Sequence, residues 1–195
     1  GVIGSGKTTL AQMLLRFHDP TAGALLLGGQ PIKNIPLHKL RRSIGYVTQT
    51  PFLFSTSIRD NIVLGRVVDL ELEEIIRVAG LRDDVARFPN GLDTLIGERG
   101  VSLSGGQKQR VALARALITK PEVLILDDAF SNLDSDTEEE ILMNIREQLT
   151  QTTTLIISHR FSAVQDADTI IVMDAGKIIE QGNHVSLVRA GGTYA

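Results

Sequence analysis

The residues best suited to chemistry stand at the start of the sequence. The first eight fit the pattern G-x-x-x-x-G-K-[ST] of a phosphate-binding loop, and a second threonine extends it: Gly1, Val2, Ile3, Gly4, Ser5, Gly6, Lys7, Thr8 and then Thr9. The glycines let successive backbone N–H groups turn inward around a polyphosphate, and a helix that begins near Lys7 points its positive end at the same place. Lys7 is expected to reach the β- and γ-phosphates, and the Thr8 hydroxyl to ligate Mg²⁺. The loop therefore predicts a nucleotide-binding protein.

A second element with suitable chemistry is the run of residues 123–127, VLILD. Four residues typical of a buried strand end in Asp127, the place where a protein with such a loop carries the aspartate of the Mg²⁺ shell. Asp128 follows directly. Because adjacent residues at a strand end point differently, Asp127 can serve the metal while Asp128 faces the attacking water. A solvated loop carboxylate is the alternative for Asp128.

A third element, residues 103–107 (LSGGQ), opens a predicted helix that runs to residue 118. Ser104 and Gln107 fit a capping box, and Gly105 and Gly106 expose backbone N–H groups at the helix N-terminus, which is an anion site. One chain rarely needs two such sites for one triphosphate, whereas two copies facing each other head to tail would need both. The alternative is a capped structural helix, which would not by itself require paired glycines.

Helices and strands alternate around these residues. We predict strands at residues 24–27, 44–48, 123–127, 154–158, 169–173 and 178–180. We predict helices at residues 69–79, at residues 104–118 and after a capping box that starts at Ser135. A further helix is predicted behind the phosphate loop, where Leu10, Met13, Leu14 and Phe17 form an apolar stripe. Strand–helix–strand alternation implies an α/β fold with a mostly parallel sheet. Residues 52–114 are predicted to be a helical subdomain inserted into a core of residues 1–51 and 115–195. Because such a loop normally leaves a buried strand, we expect further N-terminal strands upstream of Gly1.

The composition narrows the class of protein. The 195 residues suffice for one large domain, and 43% hydrophobic with 22% charged residues is typical of a soluble globular chain. A formal net charge of −3 gives no general attraction to nucleic acid, so we expect no nucleic-acid partner. The sequence has no cysteine, which excludes disulfides and thiolate metal sites. No apolar run approaches the ~18–20 residues of a membrane helix.

Together these motifs resemble the ATP-binding domain of ABC transporters, over essentially all 195 residues. They stand in the family's order: the Walker A loop (1–9), the Q-loop around Gln49, the signature (103–107), the Walker B strand (123–127), the D-loop (131–134) and the switch His159. Residues 54–62 and 96–100 look like the exporter type, whose ATP-binding domain follows membrane helices. The resemblance implies a RecA-like P-loop NTPase core and a place on the cytoplasmic face of the cell membrane.

The resemblance also implies a role for each motif. Gln49 would contact Mg²⁺ and the γ-phosphate region while touching the membrane domain, and His159 would hold the γ-phosphate and the attacking water. The signature residues 104–107 would bind ATP held by a partner chain, with Asp134 crossing the interface. The segment around Glu98 would lie near the coupling helices of the transmembrane domain. The implied ligands are ATP and Mg²⁺, and the implied activity is ATP hydrolysis coupled to transport.

Asp128 departs from the family's pattern, which usually has glutamate after the Walker B aspartate. Aspartate is one methylene shorter and holds its carboxylate back by roughly 1–1.5 Å. Because a misplacement near 1 Å can cost on the order of 100-fold in rate, we expect this chain's own site to bind ATP well and hydrolyse it slowly. The change resembles the degenerate half of heterodimeric multidrug or lipid exporters, which favours a heterodimer over a homodimer.

Two other functions are compatible with the same loops. One is a nucleotide-gated dimerisation module with negligible hydrolysis. The other is a chromosome-maintenance or repair ATPase, which would interrupt the domain with long coiled coils, and the sequence has no sustained heptad pattern. The substrate that would be transported cannot be predicted, because the membrane helices select it.

Overall fold

The computed structural model describes residues 4–66, 71–97 and 100–195. The chain divides into two compact units, one of residues 1–41 and 156–195 and the other of residues 42–155. We call the first the loop unit, because it contains the phosphate-binding loop, and the second the signature unit. Among the described residues, no helix is long and apolar enough to cross a membrane.

Helices and strands follow one another along the described residues in a mixed order. They are α1 (Lys7–Leu14), β1 (Leu26–Leu27), β2 (Gln30–Pro31), α2 (Leu37–Ser43), β3 (Ile44–Val47), α3 (Ile58–Val63), α4 (Leu72–Val78), α5 (Arg82–Arg87), α6 (Gly105–Leu117), β4 (Val123–Asp127), α7 (Ser135–Gln148), β5 (Thr153–Ile157), α8 (Phe161–Val164), β6 (Ile170–Asp174), β7 (Lys177–Gly182) and α9 (His184–Ala190). Short 3-10 turns lie at Ile32–Asn34 and Gly91–Asp93.

The signature unit contains β3, β4 and the first three residues of β5, in a sheet with the strand order β3-β4-β5. Strands β3 and β4 run parallel, with Ile44 opposite Val123 and Val47 opposite Leu126. Every residue of β4 is buried, which is what a continuous apolar run in a covered sheet predicts. Helix α6 packs against β3 and α3. The predicted α/β class with a parallel sheet is therefore confirmed.

A glycine allows the close contact between β3 and α6. A Cβ atom on Gly45 would lie 3.0 Å from Pro121 Cγ and 3.2 Å from the Ala116 carbonyl oxygen, tighter than most side chains tolerate. The adjoining core consists of large aliphatic side chains that are almost completely buried, among them Ile58, Ile62, Leu113, Leu117, Leu124 and Ile141. This packing fixes the end of β4, where the predicted metal carboxylate lies.

The loop unit contains two antiparallel hairpins, β1–β2 and β6–β7. The turn between β6 and β7 is Ala175-Gly176, with φ of 44° and 76°. Positive φ at both central residues is typical of a type I′ turn, whose twist matches that of the flanking strands. Helix α9 packs on β7. Its N-terminus has a capping box formed by Asn183 and Ser186.

Several details differ from the sequence-based prediction. Helix α7 begins one residue earlier than the capping box at Ser135 implies, because Asp134 is the N-cap and Ser135 is the first helical residue. Phe17 lies beyond the end of α1 and is 51% exposed, whereas Ala11 and Leu15 are buried there instead. The predicted strand at residues 24–27 is reduced to β1, the first strand of a short hairpin. Of the helix predicted at residues 69–79, residues 69 and 70 lie outside the described residues; within them the helix begins at Leu72, after its N-cap Glu71, and ends at Val78.

Candidate functional site

The phosphate-binding loop leads directly into α1. Of its residues, Gly1, Val2 and Ile3 lie outside the described part of the chain. Gly6 has a φ of 97°, in the left-handed region that favours glycine, and its carbonyl oxygen accepts a hydrogen bond from the Leu10 N–H at 3.0 Å. Lys7 Nζ donates to Ser5 Oγ at 3.0 Å. The helix begins where the motif predicts it, with the lysine in its first turn.

The turn of the β6–β7 hairpin holds this loop in place. The Gly176 N–H donates to the Ser5 carbonyl oxygen at 3.1 Å, and Ser5 is 1% exposed. Thr8 and Thr9 are exposed on the first turn of α1. The backbone N–H groups of a first helical turn point along the axis towards the N-terminus, where they can donate to an anion. The loop unit therefore presents the donors expected for a polyphosphate.

A buried carboxylate ends β4 in the signature unit. Asp127 is 4% exposed, and its Oδ2 accepts a hydrogen bond from the Tyr46 hydroxyl at 3.1 Å. Tyr46 lies opposite Ile125, and side chains two residues apart on a strand share a face, so the phenol of β3 meets Asp127. Burial, followed by the charge of Asp127 and this hydrogen bond, raises the pKa of Tyr46 to about 12. Tyr46 therefore stays protonated and remains a donor at neutral pH.

The neighbouring carboxylate, Asp128, has a different environment. It is only partly buried, and its Oδ2 accepts a hydrogen bond from Gln49 Nε2 at 3.2 Å. Its backbone has a φ of 53°, in the left-handed region, which aspartate tolerates better than longer side chains because it can form local hydrogen bonds. Gln49 and Asp128, two of the residues expected to take part in hydrolysis, are thus brought together.

Helix α6 begins as its sequence predicts. Ser104 is the N-cap: its Oγ accepts from the Gln107 N–H at 3.2 Å, while Gln107 Oε1 accepts from the Ser104 N–H at 2.9 Å. Gln107 also donates through Nε2 to Asp84 Oδ1 at 2.9 Å, and Arg110 forms an ion pair with the same carboxylate. Asp84 therefore ties α5 to the first turns of α6.

The paired glycines after the cap also have a packing role. A Cβ atom on Gly105 would lie 3.0 Å from Asn132 Cγ, and one on Gly106 would lie 2.8 Å from Leu133 Cδ2 and 3.0 Å from the Asn132 carbonyl oxygen. Gly106 is buried, whereas Gly105 and Ser104 are exposed. Glycine is thus needed at both positions so that residues 131–134 can approach α6, a reason that the local sequence does not reveal.

The Asp134 carboxylate, at the end of that segment, accepts hydrogen bonds from a residue close by in the chain. Its Oδ1 accepts from the Thr137 N–H at 2.9 Å, and its Oδ2 accepts from the Thr137 hydroxyl at 2.9 Å. These two hydrogen bonds hold the pKa of Asp134 below its ordinary value. The carboxylate is exposed and caps α7. His159 lies in the loop unit, exposed, two residues after the end of β5.

Two residues in the signature unit were missed by the sequence analysis. One is Tyr46, whose contact with Asp127 follows from the register of β3 on β4. The other is Gln109, which is 1% exposed on α6 and bonds to the segments that carry Gln49 and Asn132. A polar residue on an otherwise small and apolar helix face (Gly106, Ala112, Leu113) is the signal that could have identified it.

An apolar groove of about 280 Å³ lies elsewhere in the signature unit. Its lining includes Phe52, Phe54, Ile96 and Leu103. Phe52 and Phe54 remain 68% and 49% exposed although their rings meet edge to face at 5.1 Å. Large aromatic side chains left in contact with water in this way are typical of an interaction surface.

The backbone of the two phenylalanines is held by hydrogen bonds with neighbouring side chains. The Phe54 backbone N–H and carbonyl oxygen both bond to the Asn61 side chain, at 2.8 and 2.9 Å. Arg115 donates to the Phe52 carbonyl oxygen at 2.8 Å and to Asn61 Oδ1 at 2.9 Å. Asn61 is completely buried. The backbone that carries the exposed rings is therefore held in place, which lowers the entropic cost of binding a partner.

Comparison with known proteins gives consistent results. A family model described as "ABC transporter" matches residues 1–131. Over its whole length the chain is 48% identical to a probable multidrug resistance ABC transporter ATP-binding/permease protein of Bacillus subtilis (strain 168), covering 34% of that protein. It is 44% identical to an ATM1-type heavy metal exporter of Novosphingobium aromaticivorans, covering 32% of it. A solved structure of a bacterial Atm1-family ABC exporter with ATP bound superposes on the whole chain with a TM-score of 0.95, at 44% identity, covering 35% of that chain. The chain thus spans about a third of the length of these relatives.

Proposed function

Because the chain belongs to the ABC transporter family, we propose that it is the ATP-binding and ATP-hydrolysing domain of an exporter, working on the cytoplasmic face of a membrane. The observation that carries this proposal is the pair Gln49 and Asp128, joined by a hydrogen bond at the end of the strand that also presents the buried Asp127. A carboxylate and an amide beside the expected metal ligand suit a site that orients water against a phosphate. The exporters among the relatives support the same function.

The residues present suit ATP and Mg²⁺. In the loop unit, Lys7 and the first turn of α1 supply positive charge and N–H donors for the phosphates, and Thr8 supplies a hydroxyl for the metal. In the signature unit, Asp127 and Gln49 supply the oxygen ligands that Mg²⁺ prefers. When bound, Mg²⁺ would neutralise charge that develops on the phosphates. The hydrogen bond from the Tyr46 hydroxyl would keep the Asp127 carboxylate oriented for this role.

We expect hydrolysis at this site to be slow. Asp128 would orient the attacking water, with Gln49 and His159 assisting. Its carboxylate is one methylene short of the family's glutamate, and its contact with Gln49 uses one of its two oxygens. A second candidate function follows from the same observation: a nucleotide-gated dimerisation module whose hydrolysis is negligible.

The first partner is a second ATP-binding domain, and a heterodimer is favoured by Asp128. Ser104 and Gly105 are exposed at the N-terminus of α6, where they can meet a phosphate held by the partner chain. Gly106 supports this end of the helix by packing against residues 131–134, with Gln107 held by Asp84. Residues 52–114 are the proposed helical subdomain that carries this signature.

The second partner is the transmembrane domain of the exporter. The surface of this chain that would bind it is the groove lined by Phe52, Phe54, Ile96 and Leu103. Of these residues, Phe52 and Phe54 directly follow the segment of Gln49 in the chain. Because Gln49 lies only five residues before Phe54 in the chain, a movement of the aromatic residues can displace Gln49. Glu98, which the resemblance places near the coupling helices, lies outside the described residues.

The experiment is the binding of MgATP to the full-length protein, measured by calorimetry. Lys7→Ala is compared with Lys33→Ala, which removes an exposed lysine from the same unit. Losing a charge-assisted contact weakens binding roughly tenfold or more, so we expect this for Lys7→Ala and an unchanged affinity for Lys33→Ala. Equal affinities for both variants would exclude the proposed ATP site. Phosphate release beside a partner with glutamate after the Walker B aspartate separates the two candidate functions, because a pure dimerisation module would bind ATP without turnover.

A further inference from the structure

One buried amide connects three segments of the signature unit. Gln109 Nε2 donates to Ser131 Oγ at 2.9 Å and lies 3.4 Å from the Gln49 carbonyl oxygen. Its Oε1 accepts a hydrogen bond from the Asn132 backbone N–H at 3.0 Å. The side chain is 1% exposed, on the second turn of α6. It therefore joins the signature helix to the Gln49 segment and to residues 131–134.

Through these contacts, one side chain holds two loop segments that have no regular secondary structure. Loop backbone is held mainly by the hydrogen bonds that reach it from outside, and buried polar groups lose stability when such a partner is removed. Asn132 also packs so closely against Gly105 and Gly106 that a Cβ atom on either would lie 3.0 Å from it, so its position is coupled to the exposed end of α6. A shift of Gln109 would thus be transmitted to both loops.

The Gln49 segment extends the connection to the candidate catalytic carboxylate. Gln49 Nε2 donates to Asp128 Oδ2 at 3.2 Å, and the Asp128 carbonyl oxygen accepts from the Ser131 N–H at 3.2 Å. The path from Gln109 to Asp128 therefore runs through both of the segments that it holds. Because Gln109 reaches Asp128 only through these intermediates, its influence on that carboxylate is indirect.

We propose that Gln109 is a positioning residue for ATP hydrolysis, whose amide sets the Gln49 segment and residues 131–134 relative to the signature helix. This role rests on the ATPase function proposed above. Gln109 does not enter the reaction; it fixes the distance and direction from which Gln49 and Asp128 act. Its loss should therefore change turnover more than ATP affinity.

The experiment uses the full-length protein in lipid, with Gln109→Met as the main variant because methionine has nearly the same length and no amide. The control is Asn144→Leu, which removes another buried amide, one that accepts from Arg77 Nη1 at 3.1 Å on the α7 side of the unit. We expect kcat to fall about tenfold in Gln109→Met with less than a twofold change in KM, since small misplacements of positioned groups cost rate. Asn144→Leu should lower the melting temperature and leave kcat unchanged.

A double-mutant cycle with Gln49→Ala separates positioning from general destabilisation. Because Gln109 acts in part through Gln49, the two losses in kcat overlap, and the double variant is faster than the product of the two single losses predicts. Multiplicative losses in kcat, or an equal fall in kcat in Asn144→Leu, would overturn the role. Should Gln109→Met fail to fold, Gln109→Glu takes its place: it keeps an acceptor for the Asn132 N–H, and because it has at most one O–H in place of two amide N–H groups, it cannot donate to Ser131 Oγ and the Gln49 carbonyl oxygen together.

All variants are made in the native chain and in the Asp128→Glu chain, so that slow native turnover still leaves a measurable rate. No hydrolysis in either background would refute the proposed function itself. Hydrolysis that is indifferent to Gln109 would refute only its positioning role.

Discussion

Replacing Asp128 by glutamate tests whether one methylene limits this site. The added carbon moves the carboxylate outward by roughly 1–1.5 Å. Where catalysis depends on placing a group within about 1 Å, that distance corresponds to on the order of 100-fold in rate. We therefore expect Asp128→Glu to raise kcat substantially and to leave the affinity for ATP nearly unchanged.

The backbone of Asp128 sets a cost against this gain. Its φ of 53° lies in the left-handed region, where residues other than glycine, asparagine and aspartate lose about 1 kcal/mol or more. Asp128→Glu should therefore lower the free energy of unfolding by about that amount while it accelerates hydrolysis. A variant that is less stable and faster is difficult to explain by any non-specific effect.

The assay is steady-state phosphate release by the full-length protein, with ATP binding measured in parallel. Asp128→Asn is the matched control, because asparagine keeps the length, tolerates the left-handed backbone and can still accept from Gln49. It should remove the residual hydrolysis without destabilising the protein. Equal rates for the native and Asp128→Glu proteins would refute the idea of a short carboxylate and favour a symmetric homodimer.

Three further changes have defined outcomes. Tyr46→Phe removes the hydrogen-bond donor to Asp127. Losing one hydrogen bond to a carboxylate should weaken Mg²⁺ binding by up to about tenfold, measured in a metal titration at fixed ATP. An unchanged titration would exclude an orienting role for the phenol. Gly106→Ala places a methyl group against Leu133 and should cost about 1–3 kcal/mol in denaturant unfolding, so a neutral result would mean that the segment can move away freely. Asp134→Ala removes the cap of α7 and should destabilise the protein at neutral pH. Because the pKa of Asp134 is lowered from 3.8 in the folded protein, the stabilisation by its carboxylate is complete above pH 3.8 and disappears as the pH falls through the lowered pKa. A difference in stability between the native protein and the variant that persists in strong acid would contradict this assignment.

Features specified by neighbouring residues could be predicted from the sequence. The capping box of Ser104 and Gln107 starts α6 where expected, and the apolar run before Asp127 forms a buried strand. The fold class followed from the alternation of such elements. Each of these signals lies within a few residues of the feature that it specifies, so no tertiary information was required.

Features that depend on distant residues could not be predicted in this way. Gln109 contacts loops 22 and 60 residues away in the chain, and Tyr46 reaches a carboxylate 81 residues away. The packing reason for Gly106 depends on Leu133, which only the fold brings close. Even the N-cap of α7 differs by one residue from the prediction, because Asp134 and Ser135 are both good caps and their competition is decided by the contact of Asp134 with Thr137.

The most direct test of the central claim is phosphate release from MgATP by the full-length protein in lipid, native and Lys7→Ala. We predict a low rate in the native protein that is lost in Lys7→Ala, because the lysine of the phosphate-binding loop is required for the nucleotide. A rate that persists unchanged in Lys7→Ala, or nucleotide binding that does not involve this loop, would contradict the assignment of the chain as an ATP-hydrolysing domain.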